Sequence, residues 1–91
     1  MLLQKPKLSD AIQIDEQDEV ISIFNNSTGK VFITNHVGRT VFELCNGVYT
    51  VGDILDNIAK VYVSQRREEL EKDITNFLSE CVKKGVIIWS G

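Results

Sequence analysis

From Asn35 to Tyr62 the apolar residues recur at helical spacing in two runs. Val37, Val41, Phe42 and Leu44 form the first, and Val51, Ile54, Leu55, Ile58 and Tyr62 form the second, with Asn46-Gly47-Val48-Tyr49 between them. Steps of three and four put each set on one side of a helix, so the pattern predicts two short amphipathic helices joined by a tight turn, as in a helix-turn-helix core. The flanking residues agree. Asn35 can cap a helix over 35–45 by accepting a first-turn N–H, and Gly47 can end it by entering the left-handed region at little cost. Thr50 is the expected cap of the second helix, with Asp53 favoured in its positive first turn.

A third helix is expected over 64–84. Its stripe is Leu70, Ile74, Phe77, Leu78, Cys81 and Val82; Ser64 is read as its cap and Gly85 as its stop. Glu68, Glu69, Glu71 and Asp73 load its first half and Lys83 and Lys84 its end, which complements the helix dipole. Upstream, 11–14, 20–24 and 30–34 are rich in β-branched and aromatic residues. The acidic run Asp15, Glu16, Asp18 and Glu19 is read as one turn. Asn25-Asn26-Ser27-Thr28-Gly29 is read as another, pairing 20–24 with 30–34 as an antiparallel hairpin. The expected fold is α+β: a winged helix-turn-helix-like domain over 11–91, a three-stranded antiparallel sheet followed by three helices. Residues 1–10, with Lys5-Pro6-Lys7, are read as an N-terminal tail. The segment 86–89 is read either as a last short strand or as chain packed back on the core.

Ninety-one residues allow one core and leave little chain to enclose a deep pocket, which argues against an enzyme. The formal charge of -3, from 10 basic and 13 acidic residues, lacks the clustered basic face that nucleic acid demands. The second helix offers Asp53, Asp56, Asn57 and Lys60, a net negative set. The 64–84 segment carries five basic residues (Arg66, Arg67, Lys72, Lys83, Lys84) and five acidic ones (Glu68, Glu69, Glu71, Asp73, Glu80). No apolar run reaches the length of a membrane span, and Met1 to Lys7 is too short and broken for a signal peptide, so the expectation is a cytoplasmic protein without a membrane partner. Cys45 and Cys81 fall on apolar positions and are read as small buried hydrophobes, not as a disulfide. With His36 they match no metal-ligand spacing, and no carboxylate is placed to orient the imidazole. No metal, cofactor or catalytic residue is expected.

Gly29-Lys30-Val31-Phe32-Ile33-Thr34-Asn35, Glu43-Leu44-Cys45-Asn46-Gly47-Val48-Tyr49-Thr50-Val51-Gly52-Asp53-Ile54, Asp73-Ile74-Thr75-Asn76-Phe77-Leu78 and Lys84-Gly85-Val86-Ile87 resemble the PqqD-like family. These are the RiPP recognition elements, domains that bind the leader segment of ribosomally made, post-translationally modified peptides. The resemblance spans about 11–88. It implies no catalysis, and a groove between the third strand and the third helix where the leader lies as an added strand. On this chain the strand is 30–34 and the helix 64–84. The position of Thr34 is commonly Leu in the family.

Strand-edge physics is consistent with that mechanism, because an unpaired edge offers backbone groups to an extended peptide while side chains choose its identity. The expected peptide-binding residues are Lys30, Val31, Phe32, Ile33 and Thr34 on the strand. On the helix they are Ile74, Phe77, Leu78 and Cys81 as floor, with Glu71, Lys72 and Thr75 as polar rim. Either Phe32 and Thr34 or Val31 and Ile33 face the core. The function implied is delivery of a precursor peptide to a modifying enzyme, either a radical S-adenosylmethionine enzyme or a leader peptidase and cyclase. The alternatives are a winged-helix DNA-binding regulator and a structural dimerisation subunit. The exposed edge is compatible with a monomer or a strand-swapped dimer.

Overall fold

The computed structural model describes residues 1–90. Its elements in chain order are β1 (Pro6–Leu8), β2 (Ile12–Gln17), β3 (Val20–Asn25), β4 (Lys30–Thr34), α1 (His36–Leu44), α2 (Val51–Val61), α3 (Arg67–Lys83) and β5 (Ile87–Trp89). The fold is α+β, with an antiparallel three-stranded sheet in the order β2-β3-β4 and a separate two-stranded sheet of β1 and β5.

The central strand shows how the sequence chooses its inner face. Alternation in β3 turns Ile21, Ile23 and Asn25 inward, and all three are buried. In β4 the partners Phe32 and Thr34 share that face, opposite Ile23 and Ile21. Val31 and Ile33 point away and are 53% and 67% exposed. That pleat decides between the two assignments the sequence permits. The β2 strand runs on through most of the acidic run, which is therefore not all turn. Gln17 pairs with Val20, and only Asp18 and Glu19 make the bend, Asp18 in the left-handed region at φ 55°.

The three helices close the core. Val41, Phe42, Ile54, Leu55, Ile58, Leu70, Ile74 and Leu78 are buried against Ile21, Ile23 and Ile87. Asn35 caps α1 by accepting the Gly38 N–H at 3.1 Å. Thr50 and Asp53 cap α2 reciprocally, each side chain accepting the other's backbone N–H at 3.1 Å. The α3 helix begins later than its pattern suggests. Its N-cap is Arg66, which makes no side-chain cap bond. Residues 63–66 are used to turn the chain after α2, which takes Ser64 out of the cap position, and Arg67 holds the turn by pairing with Asp56 at 2.6 Å.

Residues 1–10 are not a free tail. Pro6 is buried, and β1 pairs antiparallel with β5 from Pro6↔Trp89 to Leu8↔Ile87. On its other side β1 meets the chain leaving α1: the Gly47 N–H donates to the Pro6 carbonyl and the Leu8 N–H to the Cys45 carbonyl. Gly47 is left-handed as expected, yet α1 has already ended at Leu44, and its N–H serves β1 rather than a helix terminus. Further upstream, the Leu2 and Gln4 carbonyls accept the Gly52 and Val51 N–H groups, both 2.9 Å. First-turn N–H groups have no partner within their own helix, so the N-terminal segment completes the cap of α2.

Asn25 joins the hairpin to the end of α3. It is the only buried polar side chain among the described residues, at 5% exposure. Its Nδ2 donates to the Lys84 and Gly85 carbonyls at 3.2 and 3.3 Å. Its Oδ1 accepts from the Ser27 and Thr28 N–H groups at 3.0 and 3.3 Å. Replacing Asn25 by Asp keeps the two acceptor bonds within the turn and removes both donated bonds to α3. We predict that Asn25→Asp and Asn25→Ala each lower stability by about 2 kcal/mol, read as a lower urea midpoint at unchanged slope. A wild-type midpoint for Asn25→Asp would show that the turn bonds alone account for this residue.

Candidate functional site

The β4 strand lies at the edge of its sheet, with β3 on one side and no strand on the other. Alternate residues of an antiparallel strand turn both N–H and C=O to the same side, so roughly half of the backbone polar groups of β4 face outward. Beside that edge runs α3. Between them lies an open groove of three adjoining hollows.

The central hollow, about 570 Å³, is lined by Phe32, Ile33, Thr34 and Asn35 on one side and by Asp73, Asn76, Phe77, Glu80, Cys81 and Lys84 on the other. The helical set follows steps of three and four, so one face of α3 supplies it. Toward α1 a hollow of about 290 Å³ shares Thr34, Asn35, Asp73 and Phe77 and adds Val37, Gly38, Gln65, Leu70 and Ile74 among its lining residues. Toward the hairpin a third, about 240 Å³, shares Phe32 and Lys84 and adds Asn25, Lys30, Val31 and Val86 among others.

Aromatic packing sets the floor. Phe42 from α1 touches Phe32 edge-on, with ring centroids 6.4 Å apart, and Phe77 in a tilted pair at 5.4 Å. One ring therefore supports both walls. The Lys84 ammonium sits over the Phe32 ring, 4.8 Å from its centroid. Gly38 is buried where β4, α1 and α3 meet. A Cβ there would overlap Thr34 Oγ1 and stand 3.1 Å from Phe77 Cζ, so the missing side chain lets the walls close over α1.

Eight of the residues expected from sequence line these hollows: Lys30, Val31, Phe32, Ile33, Thr34, Ile74, Phe77 and Cys81. Four do not. Leu78 is fully buried in the core, Glu71 and Lys72 face solvent, and Thr75 lies off the groove. Helical phase explains the difference, because at 100° per residue Thr75 stands about 200° from Phe77. Asp73, Asn76, Glu80 and Lys84 form the polar rim instead, joined by Asn35 at the end of β4. In the sequence Asp73, Glu80 and Lys84 stand three or four residues from Phe77 or Cys81, and Asn76 three from Asp73 and four from Glu80, steps that locate the helical rim.

Neither cysteine is an activated thiol. Burial is the main cause that pushes both thiols up to about 12, with the neighbouring Cys81 adding to the effect at Cys45. At Cys81, Lys84 opposes the shift and Glu80 adds to it. A thiol in that range is protonated at neutral pH, and the thiolate is the reactive form. Among the described residues no group of three or more His, Cys, Asp or Glu is placed to hold a metal ion, and no helix is long and apolar enough to cross a membrane.

Comparison with known proteins adds family and fold. A family model described as coenzyme PQQ synthesis protein D (PqqD) matches residues 21–87. Among solved structures the chain is similar to TbiB1 in complex with the TbiA(beta) leader peptide. The two are 27% identical, with a TM-score of 0.77, over 89% of this chain and 93% of that one. It also shares the fold of a lasso peptide synthetase B1 complexed with the leader peptide, at 13% identity and a TM-score of 0.77 over 92% and 98% of the two chains. No curated protein matches it in sequence.

The raised thiols have a pH consequence. A thiol that ionises near 9.0 when unfolded and near 12 when folded favours the native state fully below pH 9, and that contribution is lost as pH rises toward 12. The urea midpoint should therefore fall more steeply between pH 9 and 12 in the wild type than in a Cys45→Ala/Cys81→Ala variant. Parallel profiles would mean that the thiols ionise freely in the native protein.

Proposed function

The chain belongs to the PqqD family, and from that premise we propose that it is a non-catalytic protein that binds the leader segment of a ribosomal precursor peptide in the groove between β4 and α3. The observation that carries this reading is the coincidence of an unpaired strand edge with a hollow of about 570 Å³ directly beside it. The leader adds to β4 as a fourth strand. Backbone hydrogen bonds supply affinity, and side chains that enter the hollows over Phe32 and Phe77 supply identity. The similar TbiB1 structure is a complex with a leader peptide, which supports leader binding by this chain.

In the proposed cycle the bound precursor is presented to a separate modifying enzyme, either a radical S-adenosylmethionine enzyme or a leader peptidase and cyclase, in the cytoplasm. Holding the precursor beside that enzyme raises its local concentration and asks for no chemistry from this chain. The fold is used as a winged-helix-like scaffold whose β3–β4 wing carries the recognition edge. The protein acts as a monomer, because a second copy paired at β4 would occupy the edge that the leader needs.

The DNA-binding reading finds less support. A recognition helix presents its N-terminal end to the duplex, and its free N–H groups suit phosphate. In α2 those groups are taken by the Leu2 and Gln4 carbonyls and by Thr50. The exposed face of α2 carries Asp53 and Asp56 beside Lys60, which repels a polyanion.

The test is an NMR titration of labelled protein with leader segments of the short peptides encoded beside its gene, with duplex DNA as a parallel ligand. Shifts are expected along β4 and the groove face of α3. Ile33→Asp should weaken leader binding by about 1.4 kcal/mol, a tenfold loss, because it places an unpaired charge at the edge. Thr75→Arg should leave affinity unchanged, since that side chain lies off the groove. Shifts centred on α2 with DNA alone would replace this reading by a regulator.

A further inference from the structure

Asp73 and Lys84 both line the groove, and neither has an ion-pair partner among the described residues, whereas Glu80 between them is held by Lys83 at 3.8 Å. Their positions are not equivalent. Asp73 borders both the central hollow and the one toward α1, and Lys84 borders both the central hollow and the one toward the hairpin. Each unpaired charge thus stands at a junction between hollows, opposite in sign to the other. Lys30 adds a second cation at the hairpin end. In place of a carboxylate, Lys84 has only the face of the Phe32 ring.

The spacing translates into a ligand. Asp73 and Lys84 are eleven residues apart on one face of α3, which is about 16 Å along the axis at 1.5 Å per residue. An extended strand covers that distance in about five residues at 3.3 Å each. Side chains on one face of a strand recur at every second position, so two charges that reach both junctions stand four or six positions apart.

We propose that this groove selects a dipolar extended peptide, with a Lys or Arg set against Asp73 and an Asp or Glu set against Lys84, four or six residues apart, and an apolar residue between them over Phe32 and Phe77. The proposal rests on the leader-binding reading and narrows it. Backbone pairing to β4 is tolerant of register, because every step of two residues along the strand repeats the same hydrogen-bond pattern. A pair of opposite charges at the junctions removes that tolerance. A strand shifted by two residues carries both charges about 7 Å from their partners, so the charges fix where the leader stops along β4. Flanking charges of this kind contribute to specificity and register more than to affinity.

The test uses a displayed library of random peptides of about twelve residues, long enough to span β4 at 3.3 Å per residue. It is selected against the whole wild-type protein, and survivors are then measured on Ile33→Asp and on the double reversal Asp73→Lys/Lys84→Glu. Both reversed side chains are solvent-exposed, and the Lys84 carbonyl that Asn25 binds is unchanged, so the variant is expected to fold, with a urea midpoint lowered by loss of the Lys84 contacts to the helix end and the Phe32 ring. Selected peptides should lose binding to Ile33→Asp, carry opposite charges at a spacing of four or six, and bind the double reversal about tenfold more weakly. Charge-swapped copies of the same peptides should recover on the double reversal. If the peptides need the groove but show no charge spacing and bind the reversal within about twofold of wild type, dipolar selection is wrong and leader binding stands. If no selected peptide is sensitive to Ile33→Asp, the leader-binding reading fails and this proposal fails with it.

Discussion

The Asn25 side chain donates to two carbonyls at the end of α3 and accepts two N–H groups from the turn that follows β3. It stands at the inward position where the alternation of β3 calls for a third apolar residue after Ile21 and Ile23. A buried amide without partners is costly, and here all of its polar capacity is used by groups that belong to two different elements. The position of the hairpin relative to α3 is set by this junction, and the width of the groove follows from that position. Gly85 makes the approach feasible. Its left-handed φ of 73° ends α3 with the Val86 N–H donating to the Cys81 carbonyl and the Gly85 N–H to the Val82 carbonyl, and an added Cβ would stand 3.1 Å from Asn25 Nδ2.

At the other end of the groove the spacing is set by packing. Gly38 lets Thr34 and Phe77 meet over α1, and Phe42 carries both Phe32 and Phe77. Thr34 occupies a position where the wider family commonly has Leu. The shorter side chain, packed against Gly38, borders both the central hollow and the one toward α1. A polar clamp at one end and an aromatic and glycine contact at the other hold the two walls apart along the whole strand. That fixed spacing bears on the proposed strand addition. Only an edge already held at its binding distance offers backbone pairing without a further ordering cost.

How much of this was legible in the sequence depended on the distance over which each feature is determined. The caps at Asn35 and Thr50 and the stop at Gly85 are local, set by a side chain and an N–H a few residues apart, and the pattern located all three. The hairpin turn at 25–29 was legible for the same reason. The β1 strand was not. Its three residues begin at Pro6, which stands between Lys5 and Lys7, and every partner they find, from Cys45 and Gly47 to Ile87 and Trp89, lies far along the chain. The start of α3 was misplaced because Ser64 is a good cap in isolation, while the length of the α2–α3 turn is a tertiary requirement. On the groove, the strand came from the family resemblance, and of the expected apolar floor Ile74, Phe77 and Cys81 line the hollows while Leu78 lies in the core. The rim is not legible, because Glu71, Lys72 and Thr75 flank the same apolar stripe as Asp73, Asn76 and Glu80, and only the tertiary packing decides which flank meets β4.

That flank also fits the proposed binding role. The face of α3 that borders the groove runs from Asp73 through Asn76, Phe77 and Glu80 to Cys81 and Lys84, and its one thiol lies beneath the rim, where burial holds it protonated. Of the charges that stay in contact with solvent, Asp73 and Lys84 are separated by about three helical turns, and Glu80, one turn before Lys84, is paired with Lys83. Acid–base or nucleophilic work needs groups converging within hydrogen-bond reach of a single point. An open groove with dispersed charges, an aromatic floor and a free strand edge has the opposite geometry. It spreads its contacts along a line, and an extended chain is the shape of ligand that can meet all of them at once.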